Sequence, residues 1–158
     1  MSHPDTELVA IRNVMSAYNV AGDRMRVEAL AATFLDDGVL KTPSATYRGR
    51  EDIVAGLSGR PRDSTAPTDA PRPSVVRHHL TTSHVTLGGP DIAEGRTYFI
   101  VFSDVGPDHA GHYVDRMRKV DGSWLFEVRD VRVDWISEAS LFPGLKAAHA
   151  ARLASQSA

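Results

Sequence analysis

Two ionisable residues of this 158-residue chain fall where strand alternation would turn them inward. Successive side chains of a strand point to opposite faces, so along 75–87 the set Val76, His78, Leu80 and Thr82 shares one face. Val75, Arg77, His79, Thr81 and Ser83 take the other, and the polar members of that set belong in water. His78 is therefore assigned to the interior. The same rule along 111–120 groups Tyr113, Asp115 and Met117 against His112, Val114, Arg116 and Arg118, which sends Asp115 inward. On 124–135, Phe126, Val128, Asp130, Arg132 and Asp134 alternate with Leu125, Glu127, Arg129, Val131, Val133 and Trp135, and neither set is plainly outward. A buried carboxylate and a buried imidazole are costly unless paired, and a paired imidazole is suited to moving a proton between carbon and oxygen near neutral pH.

Further candidates have structural readings beside the chemical one. Tyr18 lies on the apolar stripe of a helix and could be a core tyrosine whose hydroxyl finds a partner. Asp23 could cap the short helix that follows. His109 and His112 suggest a metal pair but straddle a turn signal and lack a third ligand, so no metal site is expected. Cysteine is absent, which leaves oxygen and nitrogen side chains to do any chemistry. No phosphate-binding glycine loop, nucleophile elbow or dinucleotide fingerprint occurs, and no cofactor is expected.

The elements that must position these residues follow from periodicity. Leu8, Ile11, Met15 and Tyr18 recur at helical spacing over 6–20, and Gly22 suits the end of that helix. Val27, Leu30, Ala31 and Phe34 mark a shorter second helix, 39–41 a strand, and 49–57 a third helix. The proline-rich segment 60–73 reads as a mobile rim. Four strands are predicted at 75–87, 92–104, 111–120 and 124–135, with turns at Gly88-Gly89-Pro90-Asp91, Gly106-Pro107-Asp108-His109 and Asp121-Gly122. Helices followed by a meander imply one α+β domain over 1–158, its helices packed on one face of an antiparallel sheet. The tail 137–158 forms a last amphipathic helix after Pro143-Gly144.

Basic and acidic residues number 18 and 20, a near balance that argues against nucleic acid as a partner. No apolar run reaches the roughly 18 residues of a membrane span, and the start lacks the plan of a signal peptide, so a cytoplasmic protein is expected.

The assembled pieces resemble the SnoaL-like family of the nuclear transport factor 2-like superfamily. They are Tyr18 and Asp23 on the first helix, Phe34-Leu35-Asp36-Asp37-Gly38, Tyr47-Arg48-Gly49, Arg77-His78-His79-Leu80-Thr81-Thr82, Gly111-His112-Tyr113-Val114-Asp115, and Asp121-Gly122-Ser123-Trp124 with Arg129 and Asp134-Trp135. The resemblance implies a conical α+β barrel, a curved antiparallel sheet wrapped around a long helix with a ligand pocket inside and no cofactor. It also implies a homodimer or homotrimer. Members of this kind include polyketide cyclases, scytalone dehydratase and bile-acid 7α-dehydratase. Similarity to the last places catalytic residues at Tyr18, Asp23, His78 and Arg132, with Val101 where that enzyme carries a further aspartate and Asp115 as the substitute carboxylate. Thr82 stands where many relatives have asparagine; together with Tyr113, Met117 and Phe142 it is an expected substrate contact.

The resulting expectation is a general acid/base enzyme for a small oxygenated hydrophobic molecule, a dehydratase, isomerase or cyclase. His78, oriented by Asp23 or Asp115, would be the base. A non-catalytic accessory subunit is the alternative from another class. A ring-opening hydrolase built on Asp23, Arg132 and Asp115 is a third reading. Leu141, Phe142 and Leu145 make the tail either a lid over the cone or a subunit contact.

Overall fold

The computed structural model describes residues 3–58 and 73–156. Of the proline-rich segment 60–73, all but Pro73 lies outside the described residues. The first helix, α1 (Pro4–Asp23), has proline at its start, where a missing amide costs nothing, and carries Ile11, Met15 and Tyr18 on its buried stripe. Its first turn is tied to the sheet by Glu7, which accepts from Trp124 Nε1 at 2.6 Å and from Lys119 Nζ at 2.7 Å. Then come α2 (Val27–Ala31), β1 (Phe34–Lys41), β2 (Thr46–Arg48), α3 (Arg50–Leu57), β3 (Val76–Leu87), β4 (Ile92–Ser103), β5 (Gly106–Val120), β6 (Ser123–Ile136) and α4 (Pro143–Gln156).

The six strands form one curved, unclosed sheet in the order β2-β1-β6-β5-β4-β3. The expected antiparallel meander is present from β3 to β6, and β2 pairs antiparallel with β1. The exception is β1, which runs parallel to β6. A strand reached across the sheet from a distant part of the sequence is free of the reversal that a tight turn imposes. The turn between β5 and β6 has Asp121 and Gly122 both at positive φ, 49° and 80°, the geometry that a two-residue hairpin favours.

Helices α1 to α3 cover the inner face of this sheet, α1 packing against β3 and β6, while α4 lies along β6 at the outer groove. Ile11, Met15, Tyr18, Phe34, Leu40, Phe99, Tyr113, Met117, Trp124 and Phe126 belong to the core between these layers. The second helix stops at Ala31, and Phe34 begins β1 instead of closing the helix. Its apolar side chain fits either period, and its place opposite Phe126 on β6 decides the matter.

Four one-residue bulges set which side chains enter the core; that on β5 is Asp108, extra between Pro107 and His109, whose partners Phe102 and Val101 are adjacent on β4. On β3 an extra residue lies between Leu80 and Ser83, where the partner β4 advances only from Phe99 to Thr97. On β6, Glu127 is extra between Phe126 and Val128, and Asp134 is extra between Val133 and Trp135. Each bulge exchanges inner and outer faces for the rest of its strand. Near the bulge at Asp134 a Cβ on Gly111 would collide with the Arg132 carbonyl oxygen, so only glycine lets β5 and β6 approach this closely. Among the described residues no helix is long and apolar enough to cross a membrane.

Candidate active site

His78 is brought to Asp23 from 55 positions away. Asp23 ends α1, and the short helix after it has Arg26 at its cap position with no side-chain hydrogen bond, so Asp23 does not serve as that cap. Its carboxylate instead meets edge strand β3 twice. His78 Nδ1 lies 2.6 Å from Asp23 Oδ1, and the His78 amide donates to Oδ2 at 3.1 Å. Burial opposes ionisation of Asp23, but the hydrogen bonds from the His78 ring and amide outweigh it and hold the carboxyl below its ordinary value. An ionised carboxylate only accepts, so Nδ1 carries the proton, and neutral His78 presents the lone pair of Nε2. That nitrogen has no hydrogen-bond partner among the described residues, and the His78 side chain is 23% exposed.

An aromatic wall leads from His78 to a buried cation. The His78 ring lies 6.1 Å from Phe99, which stacks on Tyr113 at 4.6 Å. Above Tyr113, at 4.0 Å, sits the Arg129 guanidinium, which also covers Tyr18 at 4.3 Å and Phe126 at 4.0 Å. Arg129 is fully buried and makes a two-pronged pair with Asp115, Nε to Oδ1 at 2.8 Å and Nη2 to Oδ2 at 2.7 Å. Its third nitrogen, Nη1, is buried with no partner among the described residues. Burial alone would lower the pKa of Arg129, but the charge and hydrogen bonds of Asp115 raise it, so the cation is secure. Burial raises the pKa of Tyr18 despite the neighbouring Arg129, and burial raises that of Tyr113 further still. Both phenols therefore keep their protons; that of Tyr113 is donated to Asn19 Oδ1 at 2.9 Å.

Several sequence assignments change. Arg132 is on the outer face, its side chain 54% exposed and paired with Asp130 at 2.9 Å. Together with His112, Asp134 and Arg152 it lines an outer groove of about 440 Å³ between β6 and α4. The arginine that enters the core is Arg129, because the Glu127 bulge turns it inward. Thr82 is exposed, since the bulge on β3 gives the inner position to Ser83, whose hydroxyl meets Thr97 Oγ1 at 2.7 Å. The cluster of Asp23, Arg132 and Asp115 is accordingly not assembled. Met117 is fully buried opposite Ala93 and Phe126, where it packs the core. Tyr18, Asp23, His78, Tyr113 and Asp115 all lie on the inner side of the fold.

A second histidine–aspartate pair occupies the start of β5, in a segment that reads as a turn. The reversal begins two residues earlier, at Asp104-Val105, so Asp108 and His109 are in the strand and both are buried. His109 Nδ1 lies 2.8 Å from Asp108 Oδ1. Asp108 also accepts from Ser103 Oγ at 2.8 Å, Ser140 Oγ at 2.7 Å and the Leu141 amide at 3.2 Å. This anchors the tail beside the site, and Phe142 stands edge-on to the His109 ring at 5.3 Å. His112 faces outward to Asp134, 2.7 Å away, so the two histidines do not form a metal pair. Among the described residues no cluster of three metal-ligating side chains exists.

These ionisable groups predict how stability responds to acid. Burial lowers the pKa of His109 below the ordinary imidazole value despite Asp108, so the unfolded chain takes up this proton first and stability begins to fall below about pH 6.5. Asp23 and Asp108, both depressed, stabilise the fold above the ordinary carboxylate value near pH 3.9; that contribution is lost as pH falls further, through their folded values. Urea midpoints measured against pH should fall in these two stages. His109→Gln, which cannot titrate, should flatten the first stage, and an equally steep first stage in that variant would refute the assignment.

Residues 6–130 match the model of the SnoaL-like domain. A candidate scytalone dehydratase from Novosphingobium aromaticivorans superposes with a TM-score of 0.70 at 23% identity, covering 84% of this chain and 87% of its own. A protein of unknown function from Mycobacterium tuberculosis superposes with a TM-score of 0.70 at 22% identity, covering 95% of this chain and 88% of its own. For the LinA-type3 hexachlorocyclohexane dehydrochlorinase of Novosphingobium barchaimii the TM-score is 0.67 at 19% identity, with coverage of 84% and 89%. No protein of curated function matches the sequence significantly. The match over residues 6–130, joined to the helix-backed curved sheet, places the chain in the SnoaL-like domain family.

Proposed function

We propose that this protein is a cofactor-independent lyase that removes water or a comparable leaving group from a small, flat, oxygenated molecule. The observation that carries the reading is the Asp23–His78 pair, with an unpartnered Nε2 at one end of an aromatic wall and an unpartnered guanidinium nitrogen at the other. His78 takes a proton from carbon next to a carbonyl, and Asp23 stabilises the imidazolium that results. The electron pair left on carbon moves onto the carbonyl oxygen, where Arg129 Nη1 and the Tyr18 hydroxyl are the available donors. The enolate then expels the group on the adjacent carbon while the His78 imidazolium returns its proton to that group, which gives a conjugated double bond, releases water or the protonated leaving group, and restores neutral His78. Asp115 acts through Arg129 as a positioning residue.

Support for elimination comes from two structural neighbours, whose names denote loss of water and of hydrogen chloride. A purely accessory fold gains nothing from an imidazole–carboxylate pair and a guanidinium held inside it. Phe142, packed on His109, supports a lid role for the tail. Half-exposed Tyr98 and Trp135 on the outer side of the sheet suit self-association as a homodimer or homotrimer.

The test uses a panel of β-hydroxy ketones such as 4-hydroxy-4-phenylbutan-2-one, whose dehydrated product absorbs strongly in the ultraviolet. In ¹⁸O-labelled water the expected product is lighter by one water and free of solvent oxygen. Incorporation of ¹⁸O into the recovered hydroxy ketone would report water readdition to the enone, the reverse of the same elimination, whereas a panel with no elimination product would remove the lyase reading.

A further inference from the structure

The second pair, Asp108–His109, is not used by the proton abstraction described above. His109 is 7% exposed, and its ring centre lies 6.4 Å from that of His78, with the two planes nearly perpendicular. It is also 6.2 Å from Phe99, the same ring that His78 touches. Both imidazoles therefore border one end of the aromatic wall.

The hydrogen bonds of Asp108 determine which face of His109 is available. Four donors converge on this carboxylate, and it is fully buried. A carboxylate so surrounded is ionised and accepts only, so His109 Nδ1 must supply its proton to Asp108. In the neutral ring the other nitrogen, Nε2, is then an acceptor, and it has no hydrogen-bond partner among the described residues. His109 keeps 7% of its surface accessible, so this acceptor can be met from the interior space by water or by a ligand hydroxyl. The donors at the opposite end, Arg129 Nη1 and Tyr18, would hold a substrate oxygen that accepts, so this end is fitted to an oxygen that donates.

We propose that His109 contacts the substrate directly, its Nε2 accepting a hydrogen bond from a substrate hydroxyl, so that the site takes hydroxylated ring compounds in preference to their ethers. This inference rests on the elimination reading for the position of the reacting carbon, but it concerns recognition, not the base. Asp108 is the positioning residue, and it fixes the tautomer while it holds the tail segment that brings Phe142 over the His109 ring.

The test compares binding of 2-naphthol and 2-methoxynaphthalene, two fluorescent flat probes that differ in the O–H donor. The native protein should bind the naphthol about tenfold more tightly, the ratio expected for one buried hydrogen bond of about 1.4 kcal/mol. His109→Phe should bring the ratio to about one, whereas His109→Gln, whose amide oxygen can still accept, should retain part of it. The ratio should also fall in acid, because an imidazolium has no acceptor; the charged or titratable groups facing His109 are Asp108 on its own strand and His78, with Asp23 behind it. A native ratio near one, or a ratio unchanged in a folded His109→Phe protein, would overturn the proposal. Loss of the ratio in His78→Phe with retention in His109→Phe would place the hydroxyl on the base, which overturns this inference and leaves the elimination reading standing. The elimination reading itself is decided by the isotope experiment.

Discussion

His78→Ala should lower turnover by about 10²–10⁴ on any substrate that the native protein eliminates, with the folded structure retained. The size follows from removing the base while the Arg129 and Tyr18 donors remain in place. Asp23→Asn should be affected in the same direction, because an amide offers His78 Nδ1 the wrong choice of donor and acceptor and cannot stabilise the imidazolium. Asp23→Asn should act on kcat more than on KM, since its role is to orient and charge the base. Single-turnover rates with the ultraviolet-active ketone, alongside circular dichroism for the fold, would measure both effects. Full activity in a folded His78→Ala protein would transfer the proton abstraction elsewhere, with His109 as the next group to test.

Asp115→Ala should destabilise the fold by about 3–5 kcal/mol, the usual consequence of stranding one member of a buried ion pair. Both side chains are wholly buried, and Asp115 supplies both acceptors of a guanidinium that otherwise meets only the faces of Tyr18, Tyr113 and Phe126. Removing the charge along with its partner should cost much less: an Asp115→Leu, Arg129→Met double substitution should recover much of the lost stability, because two apolar side chains can replace a buried pair at little net cost. The double variant should nevertheless be nearly inactive, having lost the Nη1 donor for the enolate. Urea unfolding of the single and double variants would give the two stabilities. A loss below about 1 kcal/mol for Asp115→Ala would mean that water reaches the pair.

The amino-acid sequence by itself determined most of the elements and their order, though not β2 at Thr46–Arg48 or the first half of β1. The apolar spacing on the first helix, the strands between turn signals and the tail helix all depend on local period and turn chemistry, and these survive in the folded chain. The inward placement of His78 and Asp115 was legible for the same reason, since His78 precedes the bulge on β3 and Asp115 lies well past the one at Asp108 on β5, in stretches where alternation holds. Resemblance to a family joined Asp23 to His78, a contact across 55 residues that periodicity alone cannot express. Only the tertiary structure decided the rest. A bulge changes the face of everything beyond it, and no residue type in Phe126-Glu127-Val128 announces one, so Arg129 and Arg132 exchange sides without a local signal. Thr82 yields its inner place to Ser83 by the same device on β3. Asp108 and His109 were hidden for a different reason: Gly106-Pro107 has the composition of a turn, yet pairing with Ser103 and Phe102 extends β5 through it and carries both residues into the interior. Local preference sets what a segment favours in isolation, while strand pairing and burial of the neighbouring apolar surface are collective, and where they disagree the larger free energy comes from the collective terms.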